Sequence, residues 1–180
     1  MSDLFIHRRA DISDDGLLRF TLERIWDKDL PRLCYIGHNP AKADRFVDDP
    51  TVLRWGGFGA AWGFGGYVAL NKYPFRAADP GECRRWLRSR SYNADVDIAL
   101  ETNLTTIRDC AKDCQMVVAC WGNIGDDGDW TAQIIDQIDA FGRREIHCFG
   151  MNGNGTPRHP MSRGRNRVPD NQRPVVWRPA

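Results

Sequence analysis

The sequence predicts a three-layer α/β/α sandwich around a mainly parallel sheet, with residues 1–180 forming a single α/β domain. Three observations predict it. Four short apolar runs, "RLCYIG" (32–37), "GYVALNKYPF" (66–75), "QMVVACWG" (115–122) and "EIHCFG" (145–150), begin as continuous apolar stretches, as strands buried on both faces do. Helix-length segments separate them, and strands alternating with helices build a parallel sheet with helices on both faces. No internal repeat or interdomain linker interrupts the chain, which is long enough to bury a substantial core.

The elements follow in order. "GLLRFTLERIW" (16–26) alternates apolar and polar residues and reads as a strand at a sheet edge. "DDPTVLRWGGFGAAWGF" (48–64) opens like a helix: Asp48 or Asp49 caps it and Pro50 suits the first turn. Val52, Trp55, Phe58 and Trp62 then recur at helical spacing. "DPGECRRWLRSR" (79–90) reads as a short helix, and residues 93–114 as a longer one capped by Asn93. Residues 126–142 put Trp130, Ile134, Ile138 and Phe141 on one helix face, closed by Gly142. The segment after the last apolar run reads as loop, rich in Gly, Pro and Arg.

Composition narrows the function classes. No apolar run approaches the roughly 20 residues of a membrane span. Met1-Ser2-Asp3-Leu4 lacks the basic start and apolar stretch of a signal peptide, so a cytoplasmic location is the expectation. The six cysteines contain no CxxC pair, which argues against a metal or iron–sulfur site, and Cys34, Cys120 and Cys148 lie in core runs. The glycine patterns of dinucleotide and triphosphate loops are absent where a strand would present them, and so is a GxSxG elbow. No cofactor is expected.

Net charge is only +1, yet residues 157–180 hold six arginines against one acid, Asp170. Clustered arginine suits phosphate. A flexible, solvated tail reads equally well.

In open α/β sheets ligands bind beyond the carboxyl ends of the strands. Those ends here carry Gly37-His38-Asn39-Pro40, Asn71-Lys72-Tyr73, Trp121-Gly122-Asn123 and Gly150-Met151-Asn152. His38 suits polarising an oxygen or moving a proton, and Asn39 suits positioning a water. The plain alternative is a turn, since Asn before Pro is common in turns. Tyr73 and Arg76 follow the second strand, where an aromatic stacks on a base or packs the core. Of Asp48 and Asp49, one caps and the other faces the site. His159, held by Pro160, with Ser162, Arg163 and Arg165 suits phosphate contact; a surface loop is the alternative.

The ordered set resembles DUF1643, a domain of unknown function found in bacteria and phages. That family reads as a strand ending in an "LNPS" turn, then "DDPT", a helix, "GYGG", a strand ending in Asn, and "RATDP". An Asn at a helix start, "WG" and a C-terminal "HP" follow. The counterparts here are His38–Ala41, Asp48–Thr51, Phe64–Gly66, Asn71, Arg76–Pro80, Asn93, Trp121-Gly122 and His159-Pro160. His38 stands where the family has Leu, and Ala41 where it has Ser.

A weaker resemblance is to the uracil-DNA glycosylase superfamily, through "GHNP", "YVALN" and "RHPMS" in the same order. It implies a uracil-DNA glycosylase-like fold. It implies that Asn39 orients water, Asn71 reads the base and His159 stabilises the departing base. Gly37, Tyr73, Arg76, Asp49, Gly122 and Asn152 would border the substrate, and Arg158, Ser162, Arg163 and Arg165 the nucleic-acid backbone.

The expected function is nucleic-acid base processing, through hydrolysis of the N-glycosidic bond of a modified base in DNA. Two alternatives stay open. One is a non-catalytic nucleic-acid or nucleotide-binding module, since the amide of Asn39 is no general base. The other is an enzyme acting on a free nucleotide.

Overall fold

The structure is a computed structural model that describes residues 6–124 and 127–180. Its centre is a seven-stranded mixed sheet. The strands are β1 (His7–Ile12), β2 (Arg19–Ile25), β3 (Arg32–Gly37), β4 (Gly66–Asn71), β5 (Met116–Ala119), β6 (Ile146–Cys148) and β7 (Val175–Arg178). They lie in the order β1-β2-β4-β3-β5-β6-β7. The middle four, β4, β3, β5 and β6, are parallel. β1, β2 and β7 run antiparallel at the two margins. Among the described residues the α-helices are α1 (Pro50–Ala61), α2 (Pro80–Arg88), α3 (Asp95–Lys112) and α4 (Gly128–Ile138).

Period-two alternation splits each central strand between two cores. Leu33, Tyr35, Tyr67, Ala69 and Val118 pack with Val52, Trp55 and Phe58 of α1. Cys34, Ile36, Val68, Leu70, Val117 and Ala119 meet Ile107 and Ala111 of α3 and Ile134 and Ile138 of α4. Helices therefore cover both faces. Tyr35 anchors the first core: its ring stacks on Trp55 at 5.3 Å and on Phe149 at 6.0 Å, and its hydroxyl donates to the Trp55 carbonyl.

Helix starts follow their caps. Asp49 has extended backbone, accepts the Val52 N–H at 3.0 Å, and Pro50 opens α1. Asp79 does the same for α2 through Gly81 N–H. Asn93 caps α3 as expected: Ala94 already has helical backbone, and the Asn93 side chain accepts the Asp95 N–H at 3.1 Å.

Several expectations need correction. The 16–26 strand is not an edge: β1 pairs on its outer side and β4 on its inner side. Both β1 and β7 fall in segments with no strand assigned from sequence. The strand of the second apolar run ends at Asn71, where its polar end was expected. Phe141 is 62% exposed, because α4 stops at Ile138 and the face it was to continue no longer exists there. Part of the expected 126–142 helix start, residue 126, lies outside the described residues. No helix among the described residues is long and apolar enough to cross a membrane.

β3 lies between β4 and β5. The chain leaves β3 through α1 to one side and leaves β4 through α2 and α3 to the other. Such a reversal opens a crevice at the carboxyl ends of the strands.

Candidate functional site

The crevice is formed. A cleft of about 270 Å³ lies there, lined by Arg19, Gly37, His38, Asn39, Asp49, Trp55, Asn71 and His159 among others. It is of a size for a single nucleobase and too small for a dinucleotide.

Its walls are two chain segments zipped together past the strand ends. Gly37 and His38 carbonyls accept from Lys72 and Tyr73 N–H groups, and the Pro40 carbonyl accepts from Ala77 N–H. The Asn39 side chain completes the seam. Its Nδ2 donates to the carbonyls of Ala77 at 2.8 Å, Pro40 at 3.1 Å and Phe75 at 3.4 Å. Carbonyls only accept, so the amide orientation is fixed, and Oδ1 is left as the acceptor of a residue that lines the cleft.

Asn71 is held from both ends. Its backbone carbonyl accepts from Asn103 Nδ2 at 3.0 Å, and its Oδ1 accepts from Arg19 Nη2 at 3.2 Å. Gly37 opposite it is required: a Cβ there would lie 2.7 Å from Asn71 Nδ2. Arg19 itself is 2% exposed, with Nη1 donating to the Ala43 carbonyl at 2.9 Å and Nε without a partner. Burial lowers its pKa to about 10, so it remains charged at neutral pH.

Two histidines line the cleft in neutral form. Burial, with the Lys72 charge next, lowers His38 to about 4; burial lowers His159 to about 4. His38 meets the Tyr73 ring edge-on at 5.3 Å, and its buried Nε2 has no partner. His159 Nδ1 accepts the Met161 N–H at 3.1 Å, which puts the proton of the neutral ring on Nε2. Gly122 has φ +79°, and a Cβ there would sit 3.3 Å from the His159 Cβ, so a side chain at that position would crowd the His159 loop.

Asp49 lines the cleft and caps α1 at once. The expected division between the two acids is therefore different: Asp48 turns away to pair with Arg8 at 2.9 Å and the buried Arg24 at 2.7 Å.

Other candidates lie outside the cleft lining. Tyr73 donates to Asp127 Oδ2 at 2.6 Å and stacks on Trp130, in a cluster with Lys72, which pairs with Asp127. Arg76 clamps two loops through the Gly16 and Lys42 carbonyls. Asn152 closes its own turn on Thr156. Arg158 donates to the Met151 carbonyl at 3.1 Å. Ser162 N–H donates to the His159 carbonyl. Arg163 and Arg165 are exposed, with Arg167 beside them. Arg54 of α1 staples both ends of their loop, donating to the Pro160 carbonyl at 2.5 Å, to the Val168 carbonyl, and to Asp170 Oδ1 at 2.9 Å.

Sequence reasoning missed Arg19 and Trp55 as cleft residues and Asn103 as the support of Asn71. Asn103 carried a signal, an amide on the apolar stripe of Leu100 and Ile107 in α3. Arg19 carried none, since its partner lies 52 residues away.

No curated protein and no solved structure matches the chain. Residues 19–161, from the buried arginine to the loop that carries His159, match the model of a family described as "Protein of unknown function (DUF1643)"; the chain belongs to that family.

Proposed function

We propose that this chain processes nucleobases in nucleic acid, hydrolysing the N-glycosidic bond of a modified base in DNA on a uracil-DNA glycosylase-like fold. One observation carries the reading. A nucleobase-sized cleft at the sheet's crossover holds an acceptor at Asn39, a donor at Asn71, a carboxylate at Asp49 and a neutral histidine at His159. The three segments behind the glycosylase resemblance each supply one of these residues.

The chemistry follows from the groups. An extruded base enters the cleft with an oxygen toward Asn71 Nδ2. Water, oriented by Asn39 Oδ1, attacks the sugar C1′ and gives its proton to Asp49. The C1′–N bond breaks, and its electron pair leaves on the base. The Nε2–H of His159 stabilises that developing charge without first releasing a proton, because the ring is already neutral. Arg163, Arg165 and Arg167, exposed on the loop after His159, are available to phosphates.

The test is two-part. Incubation with duplexes carrying deaminated or oxidised bases should release free base, and Asp49→Asn should slow release more than it weakens binding. Replacing Arg163 and Arg165 by Ala should flatten the slope of log affinity against log salt by about one to two units, at about 0.9 per phosphate. DNA binding without base release favours the non-catalytic module. Binding of nucleoside monophosphates with no DNA affinity at low salt favours an enzyme of free nucleotides.

A further inference from the structure

A guanidinium buried for structure alone is usually matched by a carboxylate or by a full set of acceptors. Arg19 has neither. Among the described residues the guanidinium's hydrogen bonds are those to the Ala43 carbonyl and Asn71 Oδ1, its Nε is unpartnered, and it makes no contact ion pair. It comes from β2, the antiparallel neighbour of β4, and reaches the cleft floor behind Asn71. Arginine has donors and no acceptor, so it dictates which end of the Asn71 amide faces it. Oδ1 must face Arg19, and Nδ2 must face the Gly37 side, where the absence of a Cβ leaves it room. An asparagine free to flip would accept either an oxo or an amino group from a ligand. This one is held as a donor, with a positive charge behind it.

We infer that Arg19 is a positioning residue that makes the cleft select ring ligands presenting a carbonyl or anionic oxygen to Asn71, and reject the corresponding amino rings. The inference rests on the base-pocket reading and names its substrate class: oxo nucleobases, the products of deamination or oxidation, rather than amino ones. A ligand amino group at that edge would meet the Asn71 N–H2 donor to donor, and the buried donor would go unpaired. An oxygen there accepts from Nδ2, and the guanidinium polarises that donor further and favours any negative charge that gathers on the ring.

The experiment is equilibrium binding of two free-base pairs, hypoxanthine against adenine and uracil against cytosine. Each pair differs by the oxo-for-amino exchange and the ring proton that accompanies it. The full chain should prefer the oxo member about tenfold in each pair. Arg19→Met, which frees the amide to turn, should bring the ratio to about one to threefold, while Arg19→Lys, which keeps a charged donor, should restore most of it. A merely structural arginine would lower affinity for all four rings together and leave the ratios alone, and that result overturns the inference. Should Arg19→Met fail to fold, the wild-type side-chain amide resonance of Asn71 decides. It should shift with hypoxanthine and not with adenine; equal shifts overturn the inference. Rings bound without preference sink the inference and leave the base pocket standing. Binding of none of the four removes the base pocket itself, and the inference with it.

Discussion

The cleft and the loop that follows His159 sit side by side and are built in opposite ways. In the cleft, polar side chains are pinned: Asn39 by three carbonyls, Asn71 by Arg19 and Asn103, and His159 by the Met161 N–H. In the loop, Arg163, Arg165 and Arg167 extend into solvent, and Arg54 fastens the loop at its ends. The contrast separates two kinds of recognition. A donor or acceptor that must discriminate between ring edges works only if it cannot turn, whereas a charge that meets a repeating phosphate backbone needs reach more than orientation. Substitutions in the cleft should therefore cost stability and selectivity together, and those in the loop should cost affinity alone.

The largest effect should come where the cleft wall is fastened. Asp48 faces Arg24, which is fully buried, and ties the segment before α1 to β2. Asp48→Ala strips a carboxylate from a buried guanidinium and should destabilise by about 3–5 kcal/mol, read from denaturant unfolding. A cost under about 1 kcal/mol would mean that the wall is held by other means. Next comes Gly37→Ala, whose Cβ would press on Asn71 Nδ2 from 2.7 Å. It should cost about 1–3 kcal/mol and abolish ring binding; an unchanged affinity would separate Asn71 from the ligand.

Protonation sharpens the same contrast. His38 and His159 hold pKa values of about 4 in the folded protein through burial, against 6.5 ordinarily. Below pH 6.5 the unfolded chain takes up protons that the folded one refuses. Stability is thus complete above pH 6.5 and falls as pH drops toward 4. His159→Gln should reduce that slope by up to one proton, about 1.4 kcal/mol per pH unit. Equal slopes for the variant and the wild type would show that His159 is not shielded in the cleft. Smallest should be the effect on stability of replacing Arg163, Arg165 and Arg167 together by Ala, within about 0.5 kcal/mol, beside a clear loss of DNA affinity. A marked destabilisation would make the loop part of the scaffold.

The same division explains what could be read from the residues. The four parallel strands were legible because burial on both faces demands uninterrupted apolar residues, and the caps of α1 and α2 because Asp before Pro has a local reason to be there. β1 was not: "HRRADI" is a margin strand, half exposed, and its pairing rests on backbone bonds to β2. β7 is four residues of which Val175 and Val176 remain exposed, so no burial pattern marks it. In the cleft, strand-end residues such as Gly37, Asn39 and Asn71 could be placed by the crossover rule. Arg19 looked like the polar half of an alternating strand; that its head is buried depends on Asn71 and Ala43, which only the fold brings near. Tyr73 and Arg76 were equally close in sequence to the strand end, but their side chains bond away from it.

The measurement that bears most directly on the account is a structure of the protein bound to a short duplex carrying a deaminated base. The account predicts the base turned out of the helix into the cleft, a ring oxygen within hydrogen-bond reach of Asn71 Nδ2, and Arg163 and Arg165 against backbone phosphates. DNA seated on another face, or a complex in which the base stays stacked and the cleft holds none of it, would contradict it.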